Sequence, residues 1–196
     1  MGKKSERKKQ YIRETARKVF IEKGYKNVTM KDVVEACQIS RGGLYLYYAS
    51  TQELFLDVLK MESEDTGDTF SEAISNNASP ADILGLFLEE QKKELLRKED
   101  TLVVATYEYA FDQEKPENDT YLRNQFQEAV TIIERLIMLG VRSGEFVCRD
   151  PHAAAKHMMY AIEGLKISAK TMGITEQTVD EEMNYLMSFL VGDDEE

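Results

Sequence analysis

The sequence has 196 residues, of which 42% are hydrophobic, so the chain can bury a substantial core and is not an intrinsically disordered protein. Its formal net charge of −11 argues at first against nucleic acid, but residues 1–48 carry 12 Lys and Arg against 5 Asp and Glu. This asymmetry has two interpretations. One is a basic module that binds polyanions and is attached to an acidic body, and the other is a solvated lysine-rich tail.

The first predicted helix is marked by Ile12, Ala16, Val19 and Phe20, which recur at the spacing of an amphipathic helix that ends at Gly24. A group of basic side chains precedes this stripe. These side chains could form an arm that contacts DNA phosphates or a minor groove, or a free tail that aids solubility, and the sequence leaves the two interpretations equally open. The basic residues are Lys3, Lys4, Arg7, Lys8 and Lys9.

Two short helices are predicted next. Thr29, with Asp32 three residues later, forms a capping-box pattern, and Ser40 is the N-cap candidate of the following helix. The link Gln38-Ile39 is short enough to force the two helix axes to cross, which is typical of a helix-turn-helix. The second of these helices would then enter the major groove of DNA, which is wide enough to admit an α-helix.

The stretch SRGGLYLYYAS places two adjacent glycines inside this recognition helix, although each glycine costs a helix roughly 1 kcal/mol relative to alanine. Without Cβ atoms, Gly42 and Gly43 let the backbone approach DNA closely, and the helix start favours phosphate. Arg41 can pair with guanine or phosphate. Planar surfaces and hydroxyl donors come from Tyr45 and Tyr47. The alternative is that both glycines loosen a solvent-facing turn.

Beyond residue 50 the periodicity stays helical and no alternating strand pattern appears, so the predicted fold is all-α with about nine helices. Thr51 is the expected cap of the fourth helix. Later starts follow the preference for proline in the first helical turn. A turn is predicted at Lys115–Asn118, and a long helix follows it up to Arg142. The other predicted helices span Pro80 to Arg97, Thr101 to Phe111, Pro151 to Thr171, and Thr175 to Leu190.

The segment from Ile12 through Leu59 resembles the DNA-binding domain of the TetR family of bacterial transcriptional repressors. Several features agree in order and spacing along this segment, whereas the rest of the chain matches the family in its helix pattern alone. The matching residues are Gly24-Tyr25 after the first helix, Thr29 opening the second, Gly43-Leu44-Tyr45 with Tyr48 in the third, and Glu53-Leu54-Phe55 after it.

The resemblance implies a set of DNA contacts on the second and third helices. Three departures from the family pattern are Thr51 in place of a phosphate-binding lysine, Gln38 in place of a turn glycine, and Gly43 in place of threonine, serine or alanine. The operator sequence therefore cannot be borrowed from a relative. The implied contacts are Thr29, Met30 and Lys31, then Ser40, Arg41, Gly42, Gly43, Tyr45 and Tyr47.

The resemblance also implies two domains, a helix-turn-helix DNA-binding domain at residues 1–50 and a larger effector-binding and dimerisation domain at residues 51–196. The last two helices carry small residues and methionines, which suit either a four-helix dimer interface or the protomer's own core. The candidate interface residues are Ala154, Met158, Ala161, Leu165, Met183, Leu186, Met187 and Leu190.

Candidates for an effector pocket are aromatic residues, methionines and one valine of the C-terminal domain, although such residues more often belong to an ordinary core. Glu108 and Glu163 would face a cationic effector only if they were buried. The candidate pocket residues are Phe87, Val104, Tyr107, Phe111, Phe126, Met138, Met159 and Tyr160.

Little in the sequence favours catalysis. His152 and His157 are five residues apart, which does not place them on one helix face, and no phosphate-binding loop or nucleophile motif appears. We therefore predict no metal, no cofactor and no enzymatic activity. Two distant cysteines, no apolar signal segment and no apolar run of about 18 residues predict a cytoplasmic protein without membrane partners.

The expected function is a ligand-responsive repressor that binds a palindromic double-stranded DNA operator as a homodimer and is released by a small-molecule effector. Two alternatives stay open from the sequence. One is a transcriptional activator or an effector-independent DNA-binding protein of the same fold. The other is a helical enzyme or protein-interaction module whose basic end aids solubility.

Overall fold

A computed structural model describes residues 3–75, 78–112 and 120–191, with the backbone alone over residues 64–75. This part of the chain is all-helical, as predicted, and the predicted turn at 115–118 lies outside it. The helices are α1 (Lys3–Lys23), α2 (Met30–Cys37), α3 (Arg41–Tyr45), α4 (Thr51–Ser75), α5 (Pro80–Leu96), α6 (Val103–Ala110), α7 (Tyr121–Ser143), α8 (Pro151–Thr171) and α9 (Glu176–Ser188).

Local capping interactions set most of the helix starts. Thr29 and Asp32 form the predicted capping box of α2, and the Ser40 hydroxyl accepts a hydrogen bond from the Gly43 amide at the start of α3. The prediction that Thr51 caps α4 is wrong. The Ser50 hydroxyl accepts from the Glu53 amide at 3.1 Å, because a cap residue precedes the first helical residue. The later caps are Ser79, Asp150 and Thr175.

The basic residues before Ile12 belong to α1, which is helical from Lys3. The sequence left a DNA-contacting arm and a free tail equally open for these residues, and the structure places them in the first two turns of a helix. Two of its lysines, Lys8 and Lys9, have different neighbours.

The turn between α2 and α3 depends on Gln38, whose φ of 53° lies in the left-handed region. Its amide donates to the Glu35 carbonyl, and the Ile39 amide donates to the Val34 carbonyl at 3.3 Å, which closes the end of α2. The family pattern that this segment resembles has glycine at this position, which suits the left-handed backbone angle. Left-handed conformation costs a residue with a Cβ roughly 1–2 kcal/mol.

Replacing Gln38 with glycine is expected to stabilise the protein by up to about 1 kcal/mol, because glycine adopts the left-handed region without steric cost while the freer unfolded chain offsets part of the gain. Urea denaturation of the purified protein measures this difference. The matched control is Gln38→Ala, which keeps the Cβ and is expected to give no stabilisation. Equal stability changes for the two variants would contradict the assigned role of the backbone angle.

The chain divides into two compact units, and unit 1 comprises residues 1–68 and 99–119. Its core includes an aromatic cluster in which Phe55 contacts Phe20 at 4.7 Å and Tyr25 at 5.0 Å between ring centroids. Tyr109 of α6 joins this cluster, 5.0 Å from Tyr25, and its hydroxyl accepts a hydrogen bond from Gln52 of α4. Helix α6 is therefore part of the unit that holds the helix-turn-helix.

Unit 2 comprises residues 69–98 and 120–196. Helices α5, α7, α8 and α9 pack around one apolar core, with α7 and α8 in extensive contact. Fully buried members include Leu84, Ile137, Ile162 and Val179. The predicted domain boundary at residue 50 stays a prediction.

Candidate nucleic-acid interface and the helical body

Helix α3 presents two opposite sides. Leu44 and Tyr48, one turn apart, are buried in unit 1 and hold the helix in place. Gly42 and Leu46, also one turn apart, lie on the other side, because residues i and i+4 share a helix face. A Cβ added to Gly42 would meet nothing within 4 Å, and Leu46 is 82% exposed. The outward face of α3 is therefore open to a partner.

Arg41 and Tyr45 flank this open face. Both side chains are exposed, and the Arg41 guanidinium lies 5.5 Å from the centre of the Tyr45 ring. This cation–π contact holds a positive charge beside the aromatic surface. The two residues that the sequence predicts as base and phosphate contacts thus form one exposed pair.

Lys8 lies on the other flank of α3. A Cβ on Gly43 would sit 3.6 Å from the Lys8 ammonium, an ordinary van der Waals contact, and 3.1 Å from the Ser40 hydroxyl, which would be crowded. The Tyr47 hydroxyl accepts a hydrogen bond from Ser5, also on α1, at 3.4 Å. The start of α1 therefore adds an exposed ammonium to the surface of α3.

Lys9 serves a different purpose from Lys8. Its ammonium lies 3.0 Å from Asp57 Oδ2, and the Tyr48 hydroxyl donates to the same oxygen at 2.6 Å. Burial alone would raise the pKa of Asp57, but the hydrogen bonds from Tyr48 and Lys9 outweigh it and hold that pKa below its ordinary value. Burial, together with the contact to Asp57, raises the pKa of Tyr48. This cluster fixes α1 and the end of α3 against α4.

Replacing Asp57 with asparagine is expected to lower stability at pH 7 by about 1–2 kcal/mol, since a partly exposed charged acceptor loses its ion pair. The pKa of Asp57 is depressed in the folded state, so its stabilisation is present above the unfolded value of 3.8 and is lost as pH falls through the folded value. Urea denaturation should therefore show a smaller gap between the variant and wild type at pH 3 than at pH 7. An unchanged gap would exclude ionised Asp57 as the source.

The three predicted contacts at the start of α2 have different environments. Thr29 is exposed, but its hydroxyl donates to Asp32 Oδ2 at 2.5 Å, so it already has a partner. The Lys23 ammonium, 2.6 Å from Asp32 Oδ1, and Thr29 hold the pKa of Asp32 well below its ordinary value. Met30 is half-buried, whereas Lys31 is exposed and lies 3.6 Å from Glu35. Of these three residues Lys31 alone carries a charge, and that charge is exposed.

The structure distributes the predicted pocket residues over both units. In unit 2, the Phe126 and Tyr160 rings lie 4.9 Å apart, Phe87 packs against the apolar core, and Met159 is buried. Met138 is exposed on α7. In unit 1, Tyr107 is half-buried, and the exposed side chains are Val104 at 49% and Phe111 at 68%. Their role in effector binding stays a prediction.

The predicted dimer residues fall into two groups. Met158, Met183, Leu186 and Leu190 are buried in the core of unit 2, so they leave little surface for a second copy. The sequence had left this core role open as the alternative. The half-buried group comprises Ala154, Ala161, Leu165 and Met187.

A second apolar stripe on α8 and α9 is exposed, and its residues are not among the predicted interface residues. His157, Gly164 and Ile167 share one face of α8 with Tyr160, which is 59% exposed. Directly after α9, Phe189 contacts the His157 ring at 5.2 Å and the Tyr185 ring of α9 at 5.0 Å. Both stripes have helical spacing in the sequence, so spacing alone does not distinguish the buried stripe from the exposed one.

Glu108 and Glu163 have structural partners. Glu108 accepts a hydrogen bond from the Lys26 amide at 3.1 Å, and its carboxylate fills the space that a Cβ on Gly24 would occupy. Glu163 lies 2.8 Å from the Lys166 ammonium.

The two histidines have different neighbours. His152 contacts Glu134 at 2.9 Å, while His157 packs on Phe189. Within the described ranges, no group of three His, Cys, Asp or Glu side chains is placed to hold a metal ion. Across those ranges, every helix is too short or too polar to cross a bilayer.

Two family models match the sequence. The model described as bacterial regulatory proteins of the tetR family matches residues 12–58, which contain the helix-turn-helix. The model described as a tetracyclin repressor-like C-terminal domain matches residues 83–180. Together these matches cover most of the chain.

Individual proteins agree with this result. The uncharacterized HTH-type transcriptional regulator YfiR of Bacillus subtilis is 32% identical over 156 residues, which cover 79% of this chain and 76% of that protein. A TetR transcription regulator from Haloarcula marismortui has the same fold, with a TM-score of 0.80, 17% identity, and coverage of 94% of this chain and 97% of the other. The regulator FadR of Bacillus subtilis, in complex with stearoyl-CoA, gives a TM-score of 0.75, 17% identity, and coverage of 92% and 98%.

Proposed function

The chain belongs to the TetR family of bacterial regulatory proteins, and we propose on this basis that it represses transcription by binding a palindromic operator as a homodimer. A small-molecule effector would release it from the operator. One observation carries the proposal. The outward face of α3 is bare at Gly42 and is flanked by Arg41, Tyr45 and Lys8, which together suit close contact with a DNA groove.

DNA binding is tested by selecting bound fragments from the source genome and measuring affinity against salt concentration. Contacts to phosphates release counterions, so the logarithm of affinity should fall linearly with the logarithm of salt, by a slope of about 0.9 per phosphate contact. Enriched fragments should share a palindrome with half-sites about one DNA turn apart. If no fragment is enriched, or affinity does not depend on salt, the basic start of the chain is a solubility feature.

For the homodimer, we propose that the exposed stripe of α8 and α9 is the contact surface. Gly164 lies within this stripe, and a Cβ added there would meet nothing within 4 Å of the protomer. Glycine lets two helix backbones approach closely, and Ile167, Tyr185 and Phe189 supply apolar area around it. Two helices from each protomer would form a four-helix interface.

Effector release requires that a ligand in unit 2 influence unit 1. Helix α6 follows α5 and precedes α7 in the chain, but it packs within unit 1 through Glu108 and Tyr109. A ligand that moves the ends of α5 and α7 would therefore act on α6. To shift a population from 1:99 to 99:1, it must favour one conformer by about 5.5 kcal/mol. The FadR structure with stearoyl-CoA supports the idea that this fold accommodates a small molecule.

The alternative is an activator, or a regulator without an effector. Transcription from the selected operator, measured with and without the protein, separates repression from activation. A screen of compounds against the protein–operator complex tests the effector. Release by one compound supports the proposal, whereas an operator complex that resists the whole screen favours the effector-independent alternative.

A further inference from the structure

We propose that Leu46 reads the 5-methyl group of a thymine in each half-site of the operator, and this proposal rests on the function proposed above. The first observation is exposure. Leu46 is 82% exposed, although its neighbours Leu44 and Tyr48 are fully buried on the opposite side of the helix. Single exposed leucines are common on protein surfaces, so exposure alone assigns no role. The evidence for a role in DNA reading is the position of Leu46 relative to α3.

Leu46 directly follows α3 with a helical backbone conformation and continues its outward face. Its amide donates to the Gly42 carbonyl at 3.2 Å, which places its side chain one turn beyond the bare Gly42. Because no side chain at Gly42 stands in front of it, Leu46 is the apolar group that projects from this part of the helix. Any surface that approaches α3 along Gly42 meets Leu46 next.

Cationic and hydroxyl groups flank the face of α3 that carries Gly42 and Leu46. Arg41 stacks on Tyr45 on one flank, and Lys8 with the Ser5–Tyr47 hydrogen bond lies on the other. A positive rim around a leucine complements an anionic surface that carries an apolar spot. A protein partner would usually bind a contiguous apolar patch. Leu46 is a single apolar side chain, so it suits a protein partner less well.

The major groove of DNA provides such a surface. Phosphates line its edges, and among the four bases only thymine presents an apolar group there, the C5 methyl. A leucine in van der Waals contact with that methyl would remove it from water. Transfer of one such carbon corresponds to about 0.8 kcal/mol, which is about a fourfold change in affinity for each half-site. Leu46 would thus determine thymine at one position of each half-site.

The test uses a series of variants of a selected operator. In each variant, one symmetric pair of thymines is replaced with deoxyuridine, which lacks the methyl but keeps the base pairing. At one symmetric pair of positions, wild-type affinity should fall about fifteenfold, the product of two half-site effects. Leu46→Ala should bind the thymine and deoxyuridine operators equally at that pair. The matched control is Leu86→Ala on α5, whose leucine is 42% exposed, and it should keep the wild-type penalty.

Several outcomes would overturn the proposal. If Leu46→Ala keeps the deoxyuridine penalty, another group reads the methyl. If no thymine is sensitive, or if the variant matches wild type on every operator, Leu46 does not contact a base and its surface serves another partner. In these cases the salt-dependent operator binding of wild type still supports the proposed function. If wild type binds no duplex at all, both proposals fail.

Discussion

Replacing Arg41 or Tyr45 with alanine is expected to reduce operator affinity by about 30-fold to more than 10,000-fold. A good side-chain contact to a base contributes about 1–3 kcal/mol, and a symmetric dimer loses it in both half-sites. Arg41 and Tyr45 are stacked on each other, so removal of either also releases its neighbour. Both variants should therefore lose most sequence-specific binding, measured by fluorescence anisotropy with a labelled operator.

The same substitutions are expected to leave the fold intact. Both side chains are exposed, and neither belongs to the apolar core of unit 1. Helicity by circular dichroism and mass by analytical ultracentrifugation should match wild type. Arg123→Ala, at an exposed arginine on α7, controls for the loss of one positive charge. If Arg41→Ala and Tyr45→Ala both bind the operator like this control, the assignment of α3 as the reading surface is wrong.

Replacing Gly164 with glutamate is expected to convert the dimer to a monomer without unfolding the protomer. The Cβ of the new residue meets nothing within the protomer, and glutamate favours a helix over glycine by up to about 1 kcal/mol. In the proposed dimer, however, the side chain would hold the two α8 helices apart and bury a carboxylate. Loss of the second half-site should weaken operator binding by at least about 100-fold.

Gly85→Glu is the matched control for this experiment. Gly85 also lies within a helix, and a Cβ there likewise meets nothing within 4 Å. Sedimentation velocity should show a dimer for Gly85→Glu and a monomer for Gly164→Glu, with the helicity of both proteins by circular dichroism equal to that of wild type. Gly164→Glu is expected to unfold at lower urea than Gly85→Glu, because it loses the stabilisation that association gives the folded protomer. A dimeric Gly164→Glu would mean that the copies associate through another surface. Unfolding of both variants alike would show that glutamate is not tolerated in these helices.

The helix starts followed from the sequence because each depends on residues within one turn. The side chains of Thr29, Ser40, Ser79 and Asp150 each accept a hydrogen bond from the amide three residues ahead. The predicted spans of α5 and α8 agree with the structure within one residue at either end. The exception at α4 was a choice between adjacent hydroxyls, Ser50 and Thr51, which the pattern does not distinguish.

Contacts between distant residues were not predictable in this way. The lysines at 8 and 9 are adjacent and chemically identical, yet Lys9 is paired with Asp57 while Lys8 lies beside Gly43. A helix turns about 100° per residue, so neighbouring side chains reach different elements. Glu108 was considered as an effector contact but bonds the Lys26 amide, 82 residues away in the chain.

The sequence by itself determined the helical architecture, the caps and the helix-turn-helix, because hydrogen bonds over three or four residues and apolar periodicity are local properties. The tertiary structure decided which of two apolar stripes on α8 is buried, with Met158 inside and Tyr160 outside. It also decided that α6 packs with unit 1. Both outcomes depend on how helices far apart in the chain pack together. The spacing of apolar residues within one helix does not indicate which other helices pack against it.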